Sequence, residues 1–443
     1  MLVRREKPMS EDNSGSPIAP SKEEIVIADG PQHLENKSEV PLTVTPVMRR
    51  RAWVQFAALC FTIYVAGWND GTLGPLLPRL QEVYHVGYTV VSLIFVTNCM
   101  GSFIGAATYL YLTDRFGYGL VSHLASLILA IGNSLQASGS PFPVFVVAYL
   151  FAGYSNAFLD AGSNAFVASV AGDTSTKMGI MHAIYGVGAM CAPLVSTQFA
   201  RLPRWSFVYL VHIGLVTLSA VSQMLTFRFR RQNDLLAEIG QPPPEKTQDS
   251  EAGMSKFKQV LRLRAVHLMA FFIFTYVGVE VTVSGWIITY IINERHGGAN
   301  SGYISSGFWG GLTLGRVALL WLNKKVGERR VVFIYILAVV GLELVVWLVP
   351  NLYAGAVSVC FVGFFLGPIY PILMNHCGRV LPPELISGAI GWIACWGAAG
   401  AAVFPFVTGA IASKAGIVSL LPVLVSMMGL LFTVWLCVPN SRC

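Results

Sequence analysis

Long apolar runs, joined by short polar connections, make up most of the sequence after residue 52. A membrane-spanning helix needs about 20 largely apolar residues, and twelve runs are long enough. They cover 53–78, 87–112, 119–138, 143–170, 177–199, 205–227, 266–292, 302–322, 330–349, 352–377, 385–411 and 417–438. The pattern therefore predicts an all-α integral membrane protein with twelve transmembrane helices.

Polar stretches mark the two ends of the chain and its middle. The first is rich in Ser, Pro and Glu and lacks the apolar core of a signal peptide, so we expect a disordered tail. The middle stretch separates the sixth run from the seventh. The expected parts are a cytosolic tail (1–51), a six-helix half (52–228), a cytosolic linker (229–264), a second six-helix half (265–438) and a short cytosolic tail (439–443).

The composition agrees with a lipid environment. Hydrophobic residues make up 54% of the chain and charged residues only 12%, whereas soluble domains carry about 25% charged residues. The 8 cysteines are scattered without CxxC or His/Cys spacing. Neither a metal site nor a disulfide framework is predicted, and we expect no cofactor.

The basic residues predict the orientation. With the N-terminus in the cytosol, 24 of the 30 Lys and Arg residues lie on the cytosolic side, as the positive-inside rule requires. The exceptions are Arg316, within a span, and Arg79, Arg201, Arg204, Arg295 and Lys414 outside. We expect both termini in the cytosol, a place in the cell membrane and no nucleic-acid partner. The Asn36 sequon lies in the cytosolic tail and is expected to be unused.

An internal repeat relates the two halves. A shift of 210 residues brings four positions of the second and third runs onto matching residues without a gap, and it pairs two acids, Asp70 and Glu280. The matches are Gly101 with Gly311, Gly105 with Gly315, Leu112 with Leu322 and Gly117 with Gly327. Transporters are often built from such repeats, with the binding site between the halves near the bilayer midplane.

The loop after the second run reads Leu112-Thr113-Asp114-Arg115-Phe116-Gly117. It resembles the Asp-Arg-x-Gly signature of the major facilitator superfamily, in which this loop latches the two halves and gates their movement. The resemblance implies gating residues at Asp114, Arg115 and Gly117, and at Lys324, Lys325 and Gly327 in the second half. Tyr118-Gly119 replaces the usual basic pair, which predicts a weaker latch.

Two further stretches resemble the L-fucose permease branch of that family, which includes many fungal members of unassigned substrate. The first is Gly67-Trp68-Asn69-Asp70-Gly71, and the second runs from Asp160 to Phe166 and includes Asn164. The resemblance implies coupling to protons, with Asp160 as the proton carrier. It implies a role for Asp70 in substrate binding or proton exchange.

Acids inside the predicted spans are Asp70, Asp160, Glu280 and Glu343. An ionised side chain at the bilayer centre costs at least about 2.5–3.5 kcal/mol. Such groups face the bundle interior, pair with a cation or stay neutral. Asn156 and Asn164 lie four residues either side of Asp160, on one helix face. A transport site and a structural hydrogen-bond network both fit this pattern.

Further candidates for the substrate cavity are Asn69, His182 and Arg316. Arg316 either pairs with Glu280 or binds an anionic substrate group. Aromatic side chains that sugar rings or other metabolites stack on, or that pack at the membrane interface, are Trp68, Trp286, Trp392 and Trp396. Tyr370, between Pro368 and Pro371, marks a break in the tenth run.

The sequence lacks the GxxxxGK[ST] loop of ATP-driven transporters and the Thr-Val-Gly-Tyr-Gly filter of potassium channels. No catalytic residues of a membrane enzyme are recognised. We expect a monomeric secondary transporter that moves a small organic solute by alternating access and is coupled to protons. Uptake of a sugar or polyol, export of a secondary metabolite and a non-transporting nutrient sensor all remain open.

Overall fold

The chain is all-helical where the computed structural model describes it, over residues 45–170, 173–241 and 258–440. The N-terminal half contains α1 (Pro46–Tyr84), α2 (Leu93–Phe116), α3 (Tyr118–Ala137), α4 (Phe142–Ala168), α5 (Thr174–Ala200) and α6 (Val208–Phe227). The C-terminal half contains α7 (Arg264–Glu294), α8 (Tyr303–Ala318 and Leu320–Val326), α9 (Glu328–Leu348), α10 (Leu352–Leu366 and Ile369–Val380), α11 (Ile386–Ala415) and α12 (Leu420–Cys437). Residues 1–44 of the predicted tail and 242–257 of the predicted linker lie outside the described residues, whereas 46–51 form the first turns of α1.

Ten of the helices in this described part are long and apolar enough to cross a membrane. The two that are not among them are α1, whose middle carries Asn69 and Asp70, and α8, which a turn at Leu319 divides into two shorter pieces. The interruption of α10 between Leu366 and Ile369 confirms the break predicted from Pro368. The predicted all-α membrane fold is confirmed.

Each half packs its six helices in the same way. In the N-terminal half α1 contacts α5 and α6, α2 contacts α4, and α3 contacts both α4 and α6. In the C-terminal half the equivalent pairs are α7 with α11 and α12, α8 with α10, and α9 with α10 and α12. The halves meet through α1 and α7, α2 and α11, and α5 and α8. Twelve helices thus form two similar bundles with one interface.

The glycines of the 210-residue repeat occupy matching contacts in the two bundles. A Cβ on Gly101 would lie 2.1 Å from the Leu150 carbonyl oxygen, and one on Gly311 would lie 2.1 Å from that of Cys360. Because Cys360 is 210 positions after Leu150, the same helix crossing is built twice. Glycine is needed here because only a residue without a side chain lets two helix backbones approach so closely.

Two faces of the bundle can be distinguished: the tail face, where α1 begins at Pro46, and the far face, where α1 ends at Tyr84. Hydrogen bonds between the halves cluster toward the far face. Arg201 donates to the carbonyl of Ala299, Thr89 donates to Ser413, and Asn293 donates to Tyr88. None of the inter-half hydrogen bonds given for the described residues lies at the tail face. The halves are therefore joined at the far face.

The close approach of α1 and α5 generates a stability test. A Cβ on Gly188 would lie 2.1 Å from the Tyr64 carbonyl oxygen, whereas one on Gly179 of the same helix would meet no atom within 4 Å. We expect Gly188→Ala to lower the unfolding free energy by about 1–3 kcal/mol, as overpacking does. Gly179→Ala should leave it unchanged or raise it by about 0.4–1 kcal/mol. Thermal unfolding in detergent measures both, and equal melting temperatures would contradict the close packing.

Candidate functional site

A central cavity of about 210 Å³ lies between the two halves. Helices α1, α2, α4 and α5 line it from the N-terminal half, and α7, α8 and α11 from the C-terminal half. Its polar lining consists of Asn69, Asp70, Asn98, Ser102, Tyr149, Tyr185, Glu280 and Ser284. Phe95 and Trp309 contribute aromatic surface. The cavity therefore combines many hydrogen-bonding groups with two carboxyl groups and aromatic walls.

Asp70 lies near the middle of α1 and carries the most constrained carboxyl group of the cavity. The Tyr185 hydroxyl donates to one of its oxygens at 2.5 Å, and the Asn69 side-chain amide donates to the other at 3.2 Å. Tyr185 is held in place because α1 and α5 approach closely at Gly67, where a Cβ would lie 2.0 Å from the Tyr185 carbonyl oxygen. The helix pair thus fixes the tyrosine against the acid.

Asp160 lies on α4 and is solvent-exposed, although the residues on both sides of it along the helix include fully buried ones. The Asn164 side-chain amide donates to its carboxylate at 3.0 Å and to its backbone carbonyl at 2.9 Å. The structure thus brings the predicted pair together on one helix face. Asp160 lies outside the immediate lining of the central cavity, but it interacts electrostatically with Asp70.

Glu280, the repeat partner of Asp70, lines the opposite wall of the same cavity. It interacts electrostatically with Arg316, but the described residues show no ion pair between them within 4.0 Å. The Arg316 guanidinium makes a long contact, 3.4 Å, with the Gly367 carbonyl at the break in α10. His182 is exposed on α5 and interacts electrostatically with Arg316 across the interface between the two halves. These three groups form a second polar region beside Asp70.

The remaining predicted cavity residues do not line the central cavity. Trp286 is fully buried and donates its indole N–H to Pro405 at 3.0 Å, so it packs behind the cavity wall. Trp68 packs against Tyr64 on the opposite side of α1. Trp392 and Trp396 also lie outside the cavity lining, and their rings pack against each other on α11. Asn156 is not part of the lining either, and within the described residues its side-chain oxygen is buried without a hydrogen bond.

Glu343 on α9 is 2% exposed, and neither carboxyl oxygen has a hydrogen-bond partner within the described residues. Asn133 occupies the matching position of α3, 210 residues earlier, and is equally buried. Both helices lie on the side of their bundle away from the interface between the halves. The structure places Glu343 apart from the polar site.

The two predicted gating loops share one backbone geometry. Gly117 and Gly327 have φ angles of 87° and 90°, which favour glycine. Asp114, Lys324 and Lys325 are exposed and make no ion pair within the described part of the chain. Arg115 donates to the Tyr111 hydroxyl of its own helix at 2.7 Å. In this conformation neither loop connects the two halves.

Sequence reasoning missed several residues of the cavity, chiefly Asn98, Tyr149, Tyr185 and Trp309. Tyr185 had one available signal, because it directly precedes Gly186 on a predicted span. Asn98 and Trp309 belong to matching helices of the repeat, but nothing in their local sequence shows which side of the helix faces inward. No group of three or more His, Cys, Asp or Glu side chains suited to a metal ion occurs among the described residues.

Known proteins resemble this chain along most of its length. "Bypass of stop codon protein 6" of Saccharomyces cerevisiae is 27% identical and covers 87% of this chain and 82% of its own. The glucose/mannose transporter GlcP of Bacillus subtilis is 18% identical, and the match covers 75% of this chain and 81% of GlcP.

Two solved structures share the fold. The nucleoside transporter NupG has a TM-score of 0.70 at 12% identity, covering 86% of this chain and 99% of its own. The Escherichia coli fucose:proton symporter FucP has a TM-score of 0.61 at 16% identity, and the match covers 88% of this chain and 99% of FucP.

The family model named Major Facilitator Superfamily matches residues 59–405. This range begins within α1 and ends within α11, so it covers most of both bundles. The resemblance inferred from the loop after α2 and from the polar stretches of α1 and α4 is confirmed, as is the prediction of a transporter and not an enzyme. The chain is a member of the Major Facilitator Superfamily.

Proposed function

We propose that this protein is a secondary transporter that carries a neutral polyhydroxylated solute together with protons. The two six-helix halves would rock about the central cavity and expose it to one side of the membrane at a time. The cargo binds between Asp70 and Glu280, and the proton binds at Asp160 and Asp70. We place the protein in the cell membrane as a monomer.

The observation that carries the proton coupling is the state of the two acids on α1 and α4. Neither Asp70 nor Asp160 forms an ion pair with Lys, Arg or His within 4.0 Å in the described part of the chain. Their partners are the uncharged groups of Tyr185, Asn69 and Asn164. Since only uncharged groups contact these two carboxyl groups, a proton is the neutralising partner that we assign to them. Access from alternate sides then moves that proton across the membrane.

The cavity lining supports a neutral polar cargo. Its polar groups are carboxyl, amide and hydroxyl groups, and its lining contains no Lys, Arg or His. Such a site disfavours anionic solutes, because two carboxyl groups face the bound molecule. Hydroxyl groups of a sugar match these donors and acceptors, and Phe95 and Trp309 offer the aromatic faces on which sugar rings stack. The sugar transporters among the relatives support the same substrate class.

Charge bias supports a cytosolic tail face, which makes the present conformation closed to the outside. The same acids serve uptake with protons and export against them. A partial match to an efflux pump of Hypomyces subiculosus keeps export as the second candidate. Uptake in proteoliposomes with an imposed pH gradient distinguishes the two directions, and a nutrient sensor would show binding without flux.

Asp160→Asn tests the proton carrier. The amide keeps the size and the contact with Asn164 but cannot release a proton, so we expect pH-driven accumulation to disappear while solute counterflow continues. Radiolabelled sugar uptake into proteoliposomes measures both modes. Asn164→Ala is the matched variant, because it removes the hydrogen-bond partner of Asp160 and keeps the Asp160 carboxyl group. Accumulation by Asp160→Asn at the wild-type level would rule out this residue as the proton carrier.

Tyr185→Phe tests the Asp70 site. The variant removes a hydrogen bond worth about 0.5–1.5 kcal/mol from the Asp70 carboxyl group. Because that group is then held less firmly for the cargo, the apparent affinity should fall by about twofold to tenfold. Tyr353→Phe is the control, because Tyr353 is 80% exposed and lies away from the cavity. Counterflow at varied sugar concentration gives the affinity. An unchanged value for Tyr185→Phe would show that this contact does not shape the binding site.

Arg201→Ala tests the closure of the far face. Arg201 donates to the Ala299 carbonyl at 2.8 Å and to the Asn300 side chain, whereas Arg204 stacks on Phe207 in its own half. Losing about 1 kcal/mol of closure energy should raise the outward-open population about fivefold. Cys99, whose thiol contacts the Ala398 carbonyl at 3.2 Å, should then react faster with an impermeant reagent in the medium. Peptide mass spectrometry follows the labelling, and an equal increase in Arg204→Ala would contradict the specific clamp.

A further inference from the structure

A second cavity of about 340 Å³ lies at the tail face of the N-terminal half. It is a groove between the start of α1, the end of α4 and the start of α5. Its floor is apolar and consists of Phe56, Leu59, Phe166, Val167 and Ile180. It shares no lining residue with the central cavity. The groove is therefore separate from the candidate transport site.

Basic side chains border the groove. Arg49 and Lys177 belong to its lining, one on α1 and one on α5. One acid, Asp173, also belongs to the lining, but it caps α5 by accepting a hydrogen bond from the Thr176 amide at 3.0 Å. With two basic groups and one acid, the lining carries a net positive charge beside an apolar floor.

The groove opens where the protein leaves the bilayer. Trp53, also in the lining, is 64% exposed, and Val54 beside it is 50% exposed. Exposed tryptophan next to a run of arginines is typical of the boundary between lipid headgroups and the acyl region. An apolar floor beside basic groups suits an amphipathic anionic molecule, whose acyl chain would cover the floor.

We propose that this groove binds an anionic phospholipid of the adjacent leaflet, with its phosphate at Arg49 and Lys177 and one acyl chain on the apolar floor. Basic pockets between transmembrane helices on the cytosolic side are suited to acidic headgroups. The bound lipid bridges the ends of α1 and α5, the two helices that carry Asp70 and Tyr185. Its occupancy stabilises the N-terminal half. The site stands on its own residues and does not depend on the identity of the transported solute.

Native mass spectrometry of the full chain tests the site, with phosphatidylserine and phosphatidylcholine of identical acyl chains as probes. Wild type should retain phosphatidylserine at least about fivefold more strongly. Arg49→Gln and Lys177→Gln should each weaken its retention about fivefold, as expected for the loss of one basic residue near an anionic headgroup. Ile180→Trp fills the groove and should abolish retention. Arg330→Gln is the matched control, because Arg330 is exposed at the same face on the other half.

Melting temperatures of the same variants with and without phosphatidylserine provide a second readout. Wild type should be stabilised by this lipid, and Ile180→Trp should melt at the same temperature with or without it. Equal retention of the two lipids, or retention of neither, would overturn the proposal. So would wild-type retention by Ile180→Trp, or a loss in Arg330→Gln as large as that in Arg49→Gln. The last result would indicate diffuse surface charge instead of a defined site.

Discussion

Lipid offers no hydrogen bonds, and this absence determines most of the structure. Every backbone N–H and C=O at membrane depth has to find its partner within the protein, which favours uninterrupted helices. Without a hydrophobic force to drive helices together, close packing has to hold them. The glycine contacts at Gly101 and Gly311 supply that packing by bringing backbones together. The same constraint favours polar and charged side chains inside the protein, as with Asp70 and Glu280 between the two halves and Glu343 within the C-terminal bundle.

The candidate site follows from this arrangement. Asp70 and Glu280 come from equivalent helices of the repeat, so the pseudo-symmetry of the halves brings them to opposite walls of one cavity. Their surroundings differ, because Asp70 accepts hydrogen bonds from two neutral side chains, whereas Glu280 interacts electrostatically with Arg316. The Asp70 carboxyl group is thus held by hydrogen bonds, whereas the Glu280 carboxyl group interacts with Arg316 only through space. A symmetric scaffold thereby gives its two halves different chemistry.

Hydrophobic pattern, charge bias and the repeat predict the helices and the break at Pro368 because each of these is encoded in local sequence. The side of each helix that faces the cavity is not. Trp286 and Trp309 look equally suitable as cavity residues, yet packing turns the first away and the second inward. Helix rotation is set by neighbouring helices. The closure at the far face was also beyond prediction, since the transport cycle visits more than one arrangement of the same sequence.

The breaks in the helices are distributed unevenly between the halves. The C-terminal half has interruptions at Leu319 in α8 and at Gly367–Pro368 in α10. In the N-terminal half α4 is continuous, and the span of α2 is interrupted only at its start, by a turn at Ser92. Arg316 lies beside both interruptions, near the start of one and in contact with the carbonyl of Gly367 at the other. An interruption is a point at which a helix can bend, so we expect the helices beside Arg316 to bend during the transport cycle. Distances between two spin labels within one half would show whether that half changes its internal shape during the transport cycle.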